Sequence, residues 1–158
     1  MGVAGAGKTT VGRELATAIG WEFHDADDFH SPENVAKMHR GEGLTDADRQ
    51  PWLEALSQLI ARVIHDGRHA VLACSALKHA YRQMLIPKQT PARAIRFAYL
   101  DVPPDELKRR LEHRQHYAGP SLLSSQLATL EKPKGAVWID GTLPIAAEVQ
   151  SIRDAFGV

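Results

Sequence analysis

Gly2-Val3-Ala4-Gly5-Ala6-Gly7-Lys8-Thr9 follows directly on Met1 and fits the pattern G-x-x-x-x-G-K-[ST] of a phosphate-binding loop. Glycines at these positions let the backbone turn its N–H groups inward around an anion. The lysine reaches the outer phosphates and the Thr9 hydroxyl is a ligand for Mg²⁺. Val11, Leu15 and Ile19 then recur at helical spacing, so the loop opens a helix whose positive end faces the anion. The backbone from Gly2 through Val3, Ala4, Gly5, Ala6, Gly7, Lys8, Thr9 and Thr10 is therefore the candidate nucleotide cradle. A parallel α/β sheet normally feeds such a loop from a central buried strand, and only Met1 precedes it here. The reading predicts a sheet with its first strand missing, or further residues ahead of Met1.

Working outward, Gly20 closes the first helix and Trp21–His24 reads as a short strand running into Asp25-Ala26-Asp27-Asp28. Ser31-Pro32 is a capped helix start with proline at the first helical position, giving a helix to about His39. Leu44–Gln50 reads as a polar loop. Pro51 then opens a long helix with Trp52, Leu56, Leu59, Ile60, Val63 and Ile64 as its apolar stripe, ended by Gly67. His69–Cys74 and Ala94–Leu100 read as buried strands, each followed by a helix, and Pro103-Pro104 starts the helix bearing Leu107 and Leu111. The Gly/Pro-broken stretch Arg114–Pro120 reads as a mobile loop, followed by a helix over Ser121–Leu130. Ala136–Asp140 forms a last strand, and Pro144 opens the final helix. This alternation predicts one α/β domain, a P-loop NTPase fold with a parallel sheet covered on both faces. Asp25, Asp27, Ser75 and Asp140 fall at strand carboxyl ends, where such sheets bind ligands.

Composition narrows the partners. With 158 residues, 44% hydrophobic and 24% charged, the chain suits a single domain with a sizeable core. Lysine plus arginine equals aspartate plus glutamate, so no basic field recommends nucleic acid or an anionic membrane as partner. The lone Cys74 excludes an internal disulfide framework and fits a reducing compartment; with no spanning-length apolar run, the cytoplasm is the expected location. The eight histidines are scattered, and His113 with His116 lacks the spacing of a zinc motif.

Asp25 and Asp27 alternate at a strand end beside the phosphate loop. One can hold Mg²⁺ through water while the other meets an acceptor hydroxyl, the pair that phosphoryl transfer needs. Taken alone, an Asp-rich turn is most simply a solvated loop; the preceding phosphate loop reverses that preference. Arg49 could equally pair with its neighbouring aspartates at a helix entry. Arg114 could close over the phosphates or serve as a helix-end cation. Lys78 could bind a substrate carboxylate as a point charge. His30 and His116 are candidate hydrogen-bonding groups for a substrate.

Several segments resemble the bacterial-type gluconokinases, a shikimate-kinase-like group of P-loop kinases. They are the phosphate loop, Asp25–His30, Asn34 with Lys37-Met38, Gly41–Leu44, Asp46–Leu53, Cys74–Lys78 with Tyr81-Arg82, and Leu122–Gln126 through Leu130–Pro133. The resemblance spans nearly the whole chain, and Cys-Ser-Ala-Leu-Lys with Asp-x-Asp-Arg-x-Pro-Trp are its specific parts. It implies ATP- and Mg²⁺-dependent phosphorylation of the 6-hydroxyl of D-gluconate by a homodimer. It further implies Asp27 as base, Asp25 and Thr9 at the metal, and Lys8 on the phosphates. Arg49, Lys78, His30 and His116 would hold the sugar acid, and Arg114 would belong to a lid around 114–121.

This sequence departs from the family pattern in the missing strand, in Gly43 where proline is usual, and in a lid one residue shorter between Arg114 and His116. Phosphate loop and Asp pair alone do not choose an acceptor, so another small-molecule kinase of the same group, such as a shikimate kinase, stays open. A nucleotide-binding protein without turnover is the reading from a different class.

Overall fold

The computed structural model describes residues 1–91, 93–112 and 120–158. Chain order gives α1 (Lys8–Ile19), β1 (Glu22–Asp25), a 3-10 turn (Ala26–Phe29), α2 (Pro32–His39), α3 (Asp46–His65), β2 (Ala70–Ala73) and α4 (His79–Met84). Then follow β3 (Ala98–Asp101), α5 (Pro104–Glu112), α6 (Pro120–Thr129), β4 (Val137–Asp140) and α7 (Ile145–Phe156). The sequence expectation of strands alternating with helices is met, with two boundaries shifted by more than one residue.

The first shift is at α3. It starts at Asp46, not at Pro51, because Thr45 and Asp48 form a reciprocal capping box: the Thr45 side chain accepts from the Asp48 N–H while the Asp48 carboxylate accepts from the Thr45 N–H. Pro51 lies inside the helix, where the segment expected as loop already supplies the first turn. The second is at β3, which begins at Ala98, four residues after the expected start. Ser31 caps α2 as expected, accepting from the Asn34 N–H at 3.2 Å.

The strands pair in parallel as two separate halves. In one, Glu22 to Asp25 sit opposite Ala70 to Ala73; in the other, Ala98 to Asp101 sit opposite Val137 to Asp140. Met1 lies between them. Its amine donates to the Ala98 carbonyl at 2.6 Å, its own carbonyl accepts from Leu100 N–H at 3.0 Å, and Gly2 N–H donates to the Ser75 carbonyl at 3.3 Å. That ladder is parallel strand pairing one residue long, reaching both halves. Behind it a cavity of about 590 Å³ runs between the halves, walled by Leu15, Val63, Val71, Phe97 and Ile152 among others. The space has the position and the apolar lining of a central strand, which is the gap the sequence predicts.

Two apolar clusters flank this seam. Val3, Ala6, Val11, Leu100, Leu107 and Leu111 belong to the first. Ala26, Trp52, Leu53, Leu56, Cys74 and Tyr81 belong to the second. The phosphate loop is thus rooted in one cluster and the aspartate turn in the other. Cys74 is buried, and desolvation pushes its thiol up to about 11, so it behaves as the small hydrophobe the sequence suggests.

Candidate active site

The loop's side chains divide by burial. Val3 and Ala6 point into the core, which leaves their backbone to face the cleft. Gly5, at φ +83°, has no room for a side chain: a Cβ there would meet Leu111 Cγ at 3.0 Å and the Leu107 carbonyl at 3.4 Å. Gly7 precedes α1 in the left-handed region, and no described side chain caps the helix, whose first turn also lacks acidic residues. An uncapped helix start with inward N–H groups suits an anion. The Lys8 ammonium folds back over the loop and donates to the Val3 carbonyl at 3.0 Å. Ala4 N–H donates to Gln126 Oε1 at 2.6 Å, so α6 touches the cradle directly. Thr10 is exposed on the next turn.

A hydrogen bond joins the phosphate-loop side of the cleft to the aspartate turn: Thr9 Oγ1 donates to Asp25 Oδ2 at 2.7 Å. The other Asp25 oxygen accepts from the Asp27 N–H at 3.1 Å, which caps the 3-10 turn and fixes the backbone of Asp27. A hydroxyl beside a carboxylate is a hard oxygen donor set, suited to Mg²⁺, which keeps several waters and takes few protein ligands. Asp27 is exposed, yet enough protein surrounds its carboxylate to desolvate it in part. Desolvation there raises its pKa above the ordinary 3.8, against the opposing pull of Lys8.

His30 stacks on Trp52 with ring centroids 4.5 Å apart and planes 11° from parallel. Burial lowers its pKa, so the imidazole is neutral near pH 7; Asp27 opposes that shift and Arg49 reinforces it. Its Nδ1 is buried with no hydrogen-bond partner among the described residues. Arg49 is held by the Leu44 carbonyl and lies over the Tyr81 ring at 5.6 Å. Lys78 donates to both oxygens of Asp46 at 2.8 and 2.9 Å. The turn carrying Lys78 is strained at Ala76, φ 45°, and is clamped by buried Arg82, which donates to the Ala76 and Leu77 carbonyls at 2.9 and 3.0 Å.

The structure therefore brings Lys8, Thr9, Asp25, Asp27, His30 and Arg49 into one electrostatically connected cleft, with Lys78 beyond Arg49 through Asp46. Arg114 and His116, with most of the expected lid, lie outside the described residues. Trp52, Tyr81 and Gln126 were not picked out as site residues from sequence, although each falls in a segment that carries the family resemblance.

Residues 4–135 match the family model described as shikimate kinase. A gluconokinase of Gluconobacter oxydans is 48% identical over 134 residues, covering 84% of this chain and 74% of that protein. The chain belongs to the gluconokinase family. The thermosensitive gluconokinase of Escherichia coli is 35% identical over 160 residues, covering 98% of this chain and 84% of its own. The crystal structure of a gluconokinase from Sinorhizobium meliloti superposes with a TM-score of 0.85 at 38% identity, covering 99% of this chain and 89% of the other. Gluconokinase family membership brings with it the P-loop kinase fold.

Proposed function

We propose that this chain transfers the γ-phosphoryl group of ATP to the 6-hydroxyl of D-gluconate, yielding 6-phospho-D-gluconate and ADP. The observation that carries the reading is the Thr9–Asp25–Asp27 arrangement: a phosphate loop bonded directly to a carboxylate turn, in a chain of the gluconokinase family. The backbone from Gly2 to Thr10 forms the phosphate cradle, with the N–H groups of Gly2, Ala4 and Ala6 held by Ser75, Gln126 and Val3, and Lys8 places its charge on the outer phosphate oxygens. Thr9 and Asp25 would hold Mg²⁺, which when bound neutralises charge on the phosphate oxygens.

Asp27 accepts the proton of the 6-hydroxyl as the O6–phosphorus bond forms and the bond from the γ-phosphorus to the bridging oxygen of ADP breaks. A carboxylate raised by desolvation is the stronger base for this task. Neutral His30, with its ring fixed against Trp52, offers a hydrogen bond to a sugar hydroxyl. Arg49 and Lys78 supply the positive charge that a sugar-acid carboxylate requires. Arg114 belongs to the lid of a single kinase domain, the lid covering 114–121, and His116 joins the groups that hold the sugar acid. Homodimerisation and a cytoplasmic setting complete the reading. The first is supported by the family resemblance and by the surface-exposed Trp138, Leu143 and Ile145, the second by the lone buried thiol.

ADP release with Mg·ATP, compared between D-gluconate, shikimate and no acceptor, tests the assignment. Gluconate-dependent release supports it. Release with shikimate in preference to gluconate moves the chain to another acceptor, and ATP binding without release to any acceptor makes it a nucleotide-binding protein without this turnover.

A further inference from the structure

Resting on the gluconate reading, we propose that Asp46 is a built-in stand-in for the substrate carboxylate, occupying a reading set made of Tyr81, Lys78 and Arg49. Three donors from different places in the chain converge on this one side chain. Lys78 grips both oxygens from the N-terminal cap of α4, and the Tyr81 hydroxyl on α4 donates to Oδ1. Arg49 approaches the same oxygen to 3.9 Å, an ion-pair distance, while donating to the Tyr81 hydroxyl at 3.4 Å. The phenol ring itself is buried, and both cations lie against its face, Lys78 at 5.2 Å and Arg49 at 5.6 Å.

Two features separate a stand-in from a simple staple between α3 and α4. The Asp46 side chain is 66% exposed, and ion pairs so open to water contribute little to folding. The cluster also keeps a net charge of one positive unit, two cations against one carboxylate, which attracts a second anion. It stands at the correct end of the cleft: the charge of Arg49 is felt at His30, and His30 and Asp27 feel each other. An incoming sugar acid thus meets donors already arranged for a carboxylate and takes them over as Asp46 turns out to solvent. Tyr81 becomes a specificity-determining residue, reading the acid end of the substrate while Asp27 acts at the hydroxyl end.

The test is steady-state kinetics of the wild-type chain, Asp46→Asn and Tyr81→Phe, with thermal melts confirming that each variant is folded. Releasing the cations in Asp46→Asn should lower KM for D-gluconate several-fold, with KM for ATP held and a steeper salt dependence of the gluconate term. Tyr81→Phe keeps the ring under both cations and removes one hydrogen bond to a charged group, so KM for D-gluconate should rise roughly tenfold or more. An unchanged or raised KM for gluconate in Asp46→Asn makes Asp46 a staple and overturns the stand-in while leaving the gluconate reading intact. A wild-type chain that is folded, binds ATP and turns over no gluconate overturns both.

Discussion

The Trp52 indole holds the turn before the proposed base: its Nε1 donates to the Ala26 carbonyl at 2.6 Å, one residue ahead of Asp27. Ala26 is fully buried and Trp52 nearly so, and the same indole ring stacks on His30. One side chain of α3 thereby sets both the backbone under Asp27 and the plane of the imidazole that follows it. Trp52→Phe keeps an aromatic ring for the stack and leaves the Ala26 carbonyl without its donor, at a cost of about 1–3 kcal/mol. The expected result is a lower melting temperature together with a fall in kcat, with KM for ATP little changed because the phosphate loop belongs to the other apolar cluster. Unaltered kcat would show that the turn is held without this bond.

Asp27→Ala should lower turnover by roughly 10²–10⁴ while sparing ATP affinity. Lys8→Ala should lower turnover by orders of magnitude and weaken ATP binding as well, since Lys8 belongs to the cradle. Kinetics paired with nucleotide titration distinguish the two. Near-normal turnover in Asp27→Ala would remove that residue from the role of base.

The pH profile follows from the direction of the Asp27 shift. Desolvation raises this carboxyl, so the catalytically useful deprotonated form is lost at a higher pH than for an ordinary aspartate at 3.8. The acid limb of kcat/KM for gluconate should therefore lie above that value. A limb at or below it would mean that a different group controls the acid side.

Stability in acid should respond to Asp48. Lys37 holds its carboxylate from one side at 2.7 Å and Thr45 from the other, which lowers its pKa from 3.8 to about 2. A depressed carboxyl contributes stability that is present above its unfolded value and is lost as pH falls from about 4 towards 2. Melting temperatures of the wild type and Asp48→Asn should accordingly differ most above pH 4 and converge as the pH drops through that window. A constant difference across the whole range would assign the effect to helix capping alone.

These residues also mark where the sequence is readable and where it is not. The phosphate loop and α1 are local patterns, each decided within a few neighbours; the two aspartates become a candidate pair only because that loop precedes them. The start of α3 was legible too, but its capping box uses aspartate in the third position, and Pro51 offers the stronger local signal five residues later. Tyr81 and Trp52 could not be read for their roles, because their partners lie 35 and 26 residues away and only the fold brings them together. The early part of the expected third strand fails for a similar reason: Ala94, Ile95 and Phe97 are apolar enough, but pairing with β4 begins only at Ala98.

The seam between the sheet halves yields the last prediction. The inner edges of β2 and β3 face a cavity of about 590 Å³ whose walls are largely apolar, and Met1 already pairs with β3 in the parallel sense. Four or five Val/Ile-rich residues joined ahead of Met1 would continue that pairing into the cavity, alternate side chains meeting α1 and α7 on one face and α3 on the other. Burying each such side chain stabilises by about 1.5–3 kcal/mol, so even partial filling should raise the melting temperature by roughly 5–10 °C. A Gly/Ser extension of equal length has nothing to bury and should leave it unchanged. If both extensions melt together, the cavity does not accept a strand from this direction. If only the apolar one stabilises, the gain should carry over to ATP affinity, because the added strand ends where the phosphate loop begins.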